Sequence, residues 1–208
     1  MTKHWRLVLA VFCLLVFLLL AAQVVLHGPI VDVDRAISFW WAAHRRPWLT
    51  GAMVLVSTVH ETLPVLGATA ILMLWRARER DWPAVRALLV VPAGMLLNVA
   101  IKESFRRPRP VFDVPLVHLP TYSFPSGHAV ASTVFWGMVC VLVFHRTRSH
   151  PLRALAVTAT VVMVPLVAFS RVYLGAHFLS DVIAGIALGT LYVLLFCRRL
   201  RPITPLLP

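Results

Sequence analysis

The chain has 208 residues, of which 60% are hydrophobic and 13% charged, and its formal net charge is +12. That length suits one domain, but the composition is too apolar for a soluble globule and fits a polytopic membrane protein. Arginines at the ends of membrane helices account for the positive balance, no nucleic-acid motif is evident, and the three cysteines form neither a disulfide framework nor a zinc pattern.

The run Leu7 to Leu26 holds 20 residues without a charge, long enough to cross a hydrocarbon core of about 30 Å. Lys3 and Arg6 precede it, so a cleaved signal peptide competes with an uncleaved first span. The run exceeds a typical signal core and more spans follow, which favours the span. Next, Asp32 to Trp48 interleaves Phe39, Trp40, Trp41 and Trp48 with Arg35, Arg45 and Arg46. Rings beside cations favour the headgroup layer, so the stretch is expected along the outer interface, with an ordinary loop as the alternative.

Further apolar segments lie near Val56 to Trp75, Ala87 to Ile101, Ala129 to Phe144, Ala154 to Phe169 and Val182 to Cys197, which makes six spans. All are expected to be helices, because a lipid-exposed backbone must satisfy its own hydrogen bonds. Pro92 and Pro165 are expected to kink the third and fifth. Gly185 and Gly189 form a GxxxG pair in the sixth, a mark of close helix packing. Six spans put both termini on one side, which collects 12 of the 20 lysines and arginines, among them Arg76, Arg146 and Arg198. The termini are therefore expected to be cytoplasmic and the opposite ends to face the periplasm or the exterior.

Three polar clusters interrupt this apolar chain. In the first, Lys102 to Pro110, Lys102 ends the third span and Pro108 and Pro110 force the chain out of helix, presenting Arg109 from an extended segment. A guanidinium fork and a lysine point charge suit a phosphoryl cage; Arg106 and Arg107 read as ordinary headgroup contacts. In the second, Pro125-Ser126-Gly127-His128 opens an apolar helix. Ser126 is a good N-cap, Gly127 allows an anion to approach free N–H groups, and His128 stands where it can pass a proton to a leaving oxygen. In the third, Ser170 to Asp181, His177 and Asp181 are four apart, so on a helix they share a face and the carboxylate can orient the imidazole, while Arg171 adds a cation. Ionisable groups at membrane depth are costly, which favours function over a structural His–Asp pair. His60 and Glu61, near the outer start of the second span, are candidates for a headgroup contact or for tuning a site histidine.

The patterns Lys102-x6-Arg109-Pro110, Pro125-Ser126-Gly127-His128 and Ser170-Arg171-x5-His177-x3-Asp181 resemble, in order and without departure, the three signature motifs of the type 2 phosphatidic acid phosphatase superfamily. The resemblance spans residues 102–181 and implies a single six-helix membrane domain over residues 1–208 with an outward-facing site. It implies that His177 is the nucleophile, Asp181 its partner and His128 the acid. Lys102, Arg109, Arg171, Ser126 and the Gly127 backbone would hold the phosphoryl oxygens, with no metal or other cofactor. The expected activity is hydrolysis of a lipid phosphate or diphosphate in the cytoplasmic membrane, with undecaprenyl diphosphate, phosphatidylglycerol phosphate and phosphatidic acid as candidate substrates. A phosphotransferase using the same phosphohistidine and a headgroup transporter are the alternatives.

Overall fold

The computed structural model describes residues 4–113, 115–117 and 119–196, and all regular structure among them is helical. The helices are α1 (His4–Val25), α2 (Ile30–Ala43), α3 (Pro47–Val59), α4 (Thr62–Arg78), α5 (Trp82–Leu88), α6 (Val90–Phe105), α7 (Gly127–Arg146), α8 (His150–Tyr173) and α9 (Leu179–Phe196). By length and composition α1, α7, α8 and α9 each suffice to cross a bilayer, as does the 24-residue α5–α6 unit, and α3 with α4 forms a sixth, bent unit. Cys197 and the cations Lys3, Arg198, Arg199 and Arg201 lie outside the described residues.

Proline and histidine decide where the spans break. The expected second span is not one helix: α3 and α4 meet at 49° across His60 and Glu61. Pro64 has no N–H for the His60 carbonyl, four residues earlier, and its ring crowds that oxygen. The His60 ring also bonds the Val56 carbonyl through Nδ1 at 2.9 Å, capturing an acceptor that the helix would otherwise give to an amide. The same rule ends α5 at Leu88, four residues before Pro92. Pro165 instead sits inside α8, whose helical assignment runs unbroken past it.

The sequence between the first two spans forms α2, a turn and the start of α3. Phe39, Trp40 and Trp48 are exposed, as an interfacial position requires, whereas the Trp41 ring lies 5.0 Å from that of Phe169 and 5.6 Å from that of Tyr173. Asp34, on α2, is fully buried.

The core is centred on α7, which packs against α6, α8 and α9, while α9 also packs on α1. Val130, Val134 and Met138 of α7 are fully buried against Leu88, Val91 and Tyr192. Outward faces are apolar too: Leu7, Leu15 and Leu19 of α1 and Leu155 and Val161 of α8 are exposed, which costs nothing where the surrounding solvent is hydrocarbon. At the end of the bundle remote from the three clusters, Asp81 caps α5 and accepts from Arg76 Nη2 at 2.6 Å and from Arg146, tying α4, α5 and α7 together.

The GxxxG pair does what its spacing predicts. A Cβ on Gly185 would stand 2.8 Å from both Ala129 Cβ and the Ser126 carbonyl oxygen, and one on Gly189 would stand 2.7 Å from Thr133 Cβ. Glycine therefore lets α9 touch the start of α7 backbone to side chain. Gly185→Ala is expected to destabilise the fold by about 1–3 kcal/mol through overpacking and to reduce activity by displacing Ser126. Thermal unfolding in detergent, read beside phosphate release, checks both effects.

Candidate active site

Four helix ends meet at one end of the bundle. Lys102 comes from the last turn of α6, Ser126 to His128 open α7, Arg171 stands in the last turn of α8, and Asp181 lies in the first turn of α9. Arg109 reaches in from the segment after α6, and His177 from the turn between α8 and α9. That turn reverses at Gly175, whose φ of +73° suits glycine; a Cβ there would also meet Phe112 at 2.5 Å and Arg45 Nη2 at 2.8 Å. The Ser126 amide donates to the Asp181 carbonyl at 3.0 Å, which locks the α7 start to the α9 start.

A cavity of about 460 Å³ is lined by Lys102, Arg109, Gly127, His128 and His177, together with His60 and Asn98. Beside it, a second cavity of about 360 Å³ is lined by His128, Arg171, Ser57 and Glu61. His128 lines both, so residues from each of the three motifs line these two neighbouring cavities. Ser126 is the N-cap of α7 as expected, although its hydroxyl accepts from the Ala129 amide at a long 3.5 Å. A Cβ on Gly127 would stand 3.3 Å from Asn98 Nδ2 and 3.8 Å from Lys102 Cε, so glycine brings the positive end of α7 close to the lysine.

His177 is 1% exposed, with Nε2 3.1 Å from Arg109 Nη1. The expectation that it shares a helix face with Asp181 is corrected: α9 begins at Leu179, so His177 sits in the preceding turn. Its Nδ1 lies 3.5 Å from Asp181 Oδ2 and makes no hydrogen bond. The carboxylate is engaged elsewhere, accepting from the Phe178 amide at 2.9 Å and from Arg107 Nη1 at 2.6 Å. Burial, then the charges of Lys102, Arg109 and Arg171, hold the His177 imidazole well below the usual histidine range, against a weaker opposing contribution from the Ser123 backbone. The ring is therefore neutral and keeps a lone pair.

The cations differ in what they have left to give. Arg109 uses all five of its donors, through Nε to Thr121 O at 2.6 Å, Nη1 to Ala176 O and His177 Nε2, and Nη2 to Thr121 Oγ1 and Tyr122 O. Burial lowers its pKa and Asp181 partly restores it. Lys102 spends one donor, on Tyr122 O at 2.7 Å, and retains two. Arg171 is 2% exposed and donates from Nη1 to Ser57 Oγ, while its Nε and Nη2 have no partner, nor does His128 Nε2. Buried donors without acceptors are costly, and a group bearing several anionic oxygens would satisfy them together.

Three residues of this region escaped the sequence reading. Arg107, read as a headgroup contact, is buried between two carboxylates, whereas its neighbour Arg106 is exposed as expected. Asp34 is one of those carboxylates, and Asn98 lines the larger cavity with an unpartnered Oδ1. Asp34 did carry a signal, since the chain has only eight acidic residues. His60 fixes the α3–α4 break, with Nδ1 on the Val56 carbonyl and Nε2 accepting from Trp136 Nε1 at 3.1 Å, so neither ring nitrogen is free for a headgroup. Glu61 is exposed and faces the smaller cavity.

The likeness to known proteins agrees with this geometry. Residues 83–204 match the sequence profile of the PAP2 superfamily. The chain is 34% identical over 182 residues to phosphatidylglycerophosphatase B of Bacillus subtilis, covering 86% of this chain and 88% of that protein. It is 37% identical over 134 residues to decaprenylphosphoryl-5-phosphoribose phosphatase of Mycobacterium tuberculosis, covering 61% and 63% respectively. The crystal structure of the transmembrane PAP2-type phosphatidylglycerolphosphate phosphatase from Bacillus subtilis superposes with a TM-score of 0.82 at 34% identity, over 90% of this chain and 93% of that one. With its motif residues gathered around one buried region at the ends of apolar helices, the chain belongs to the PAP2 superfamily as a membrane phosphatase.

Proposed function

We propose that the protein removes a phosphate from a lipid phosphomonoester or diphosphate through a phosphohistidine on His177, with phosphatidylglycerol phosphate as the leading substrate. The observation that carries this reading is the pair of unpartnered buried donors on Arg171, Nε and Nη2, with the unpartnered His128 Nε2, beside the buried His177 imidazole. A phosphoryl group supplies the missing acceptors and brings phosphorus towards His177 Nε2. The preference among lipids rests on the relative from Bacillus subtilis, whose similarity extends along most of both chains.

In the first step the Nε2 lone pair forms a bond to phosphorus as the bond to the lipid oxygen breaks, and His128 gives that oxygen a proton. The imidazole acquires positive charge, balanced by Asp181. Lys102, Arg109, Arg171 and the N–H groups opening α7 neutralise the transferring oxygens, a task that metal ions perform in other phosphoryl-transfer sites. In the second step water adds to phosphorus, His128 takes a proton from it, and the nitrogen–phosphorus bond breaks. Ser126 holds the α7 start in place, and Glu61, beside Arg171 in the smaller cavity, is positioned to select among headgroups. The lysine and arginine distribution supports cytoplasmic termini and a site on the outer side of the cytoplasmic membrane.

Proteoliposomes carrying phosphatidylglycerol phosphate, phosphatidic acid or undecaprenyl diphosphate provide the test. Expected results are phosphate release without an added acceptor, the same rate with and without a chelator, and an acid-labile, alkali-stable phosphoenzyme on rapid quench. A rate that collapses in the chelator, or turnover without a phosphoenzyme, would overturn the mechanism.

A further inference from the structure

The reaction scheme uses three cations and leaves a fourth, Arg107, without a role although it is only 6% exposed. It lines neither cavity of the site. Its Nη1 donates to Asp181 Oδ1 at 2.6 Å and Ser180 Oγ at 2.8 Å, and its Nη2 to Asp34 Oδ2 at 2.8 Å. The guanidinium lies 4.3 Å from the centre of the Phe178 ring. Asp34 is held in turn by the Ser180 amide, which donates to Oδ1 at 2.9 Å, and by the Ser180 hydroxyl. One guanidinium thus bridges α2, through Asp34, and the first turn of α9, through Ser180 and Asp181.

We propose that Arg107 is a positioning residue for the reaction, setting the Asp181 carboxylate against His177 through a buried ion-pair network anchored on Asp34 of α2. This rests on the reading of His177 as the nucleophile. Arg107 occupies Oδ1 and the Phe178 amide occupies one side of Oδ2, so the carboxylate cannot rotate, and Oδ2 remains the oxygen that faces His177 Nδ1 at 3.5 Å. An ordinary N–H···O bond is shorter by about 0.5 Å, a contraction that the ring makes once phosphorylation gives it charge. The charge count supports the same assignment. Two carboxylates and one guanidinium leave a net charge of about −1 in the trio, which offsets the positive phosphoimidazole without leaving a second bare carboxylate in a dry interior.

The test uses the full-length protein in proteoliposomes, with phosphatidylglycerol phosphate or whichever of the three lipids wild type hydrolyses. Arg107→Met is expected to lower kcat by roughly 10- to 100-fold, as loss of a supporting partner does, with KM within about threefold and slower phosphoenzyme formation. Arg107→Lys, which keeps a charge but not the fork, is expected to recover part of that loss. Where Arg107→Met does not yield a folded, monodisperse protein, Asp34→Asn is read instead, with a fall in kcat of roughly tenfold at unchanged KM expected. A folded variant whose kcat stays within threefold of wild type, or whose loss lies in KM alone, overturns the proposal. His177→Ala run in parallel separates the two readings: turnover there removes the nucleophile assignment itself, while an inert Arg107 variant beside a dead His177→Ala removes only the positioning role.

Discussion

His177→Ala is expected to abolish phosphate release, with kcat falling by about four to six orders of magnitude, the scale of removing a catalytic nucleophile. No phosphoenzyme should form on rapid quench. Lipid phosphate binding should survive, because Lys102, Arg109 and Arg171 keep their places and their charges. Equilibrium binding in detergent micelles beside single-turnover kinetics separates the two, and a transporter would show the opposite pattern, with lipid movement intact. His177→Gln carries a second signature in stability. The folded-state imidazole titrates well below the usual histidine range because it is buried among cations, whereas the unfolded chain takes up its proton near about 6.5. Below that pH the unfolded state binds more protons, so this group makes stability rise with pH and subtracts from it as pH falls. His177→Gln should therefore lose less thermal stability than wild type between neutral pH and pH ~5, measured by unfolding scans across that range.

His128→Ala is expected to slow phosphoenzyme formation by about 100- to 10,000-fold on a lipid substrate. The loss should shrink steeply for an aryl phosphate, whose leaving oxygen needs no proton. His128 lines both cavities, and its Nε2 is buried without a partner, so no structural bond known among the described residues accounts for that nitrogen. Breakdown of the phosphoenzyme should slow as well if, as proposed, the same ring activates water in the second step. Rapid-quench kinetics on a lipid phosphate and an aryl phosphate, compared in wild type and His128→Ala, measure both steps. Equal loss on the two substrates would remove the acid role.

Much of the fold was legible because lipid imposes a simple rule. Apolar runs long enough to span must be helices, and the Lys102, Ser126 and Arg171 clusters had to fall at their ends. The GxxxG contact and the α5–α6 break three residues before Pro92 followed from spacing and proline chemistry in the same way. The bend between α3 and α4 was not expected, because Val56 to Trp75 reads as one apolar run. With α3 ending at Val59, Pro64 blocks its continuation and falls in the first turn of a new helix, α4. The expected His177–Asp181 helix pair failed because spacing of four residues says nothing about whether the first residue is helical, and Gly175 had already turned the chain. Arg107 was misread for a different reason. Only long-range contact reveals its partner Asp34, 73 residues away in sequence, and nothing local distinguishes a buried arginine from an exposed one two residues before Arg109.

The saturated fork of Arg109 links catalysis to chain motion. Its bonds to Thr121 and Tyr122 tie down the connection between α6 and α7, and its bond to His177 Nε2 occupies the lone pair that attacks in the proposed mechanism. A phosphoryl group docked as proposed would compete for these same hydrogens, freeing Nε2 and loosening the Thr121 and Tyr122 contacts in one exchange. A tightly bound oxyanion such as vanadate is then expected to make the peptide bonds around residue 121 more susceptible to protease.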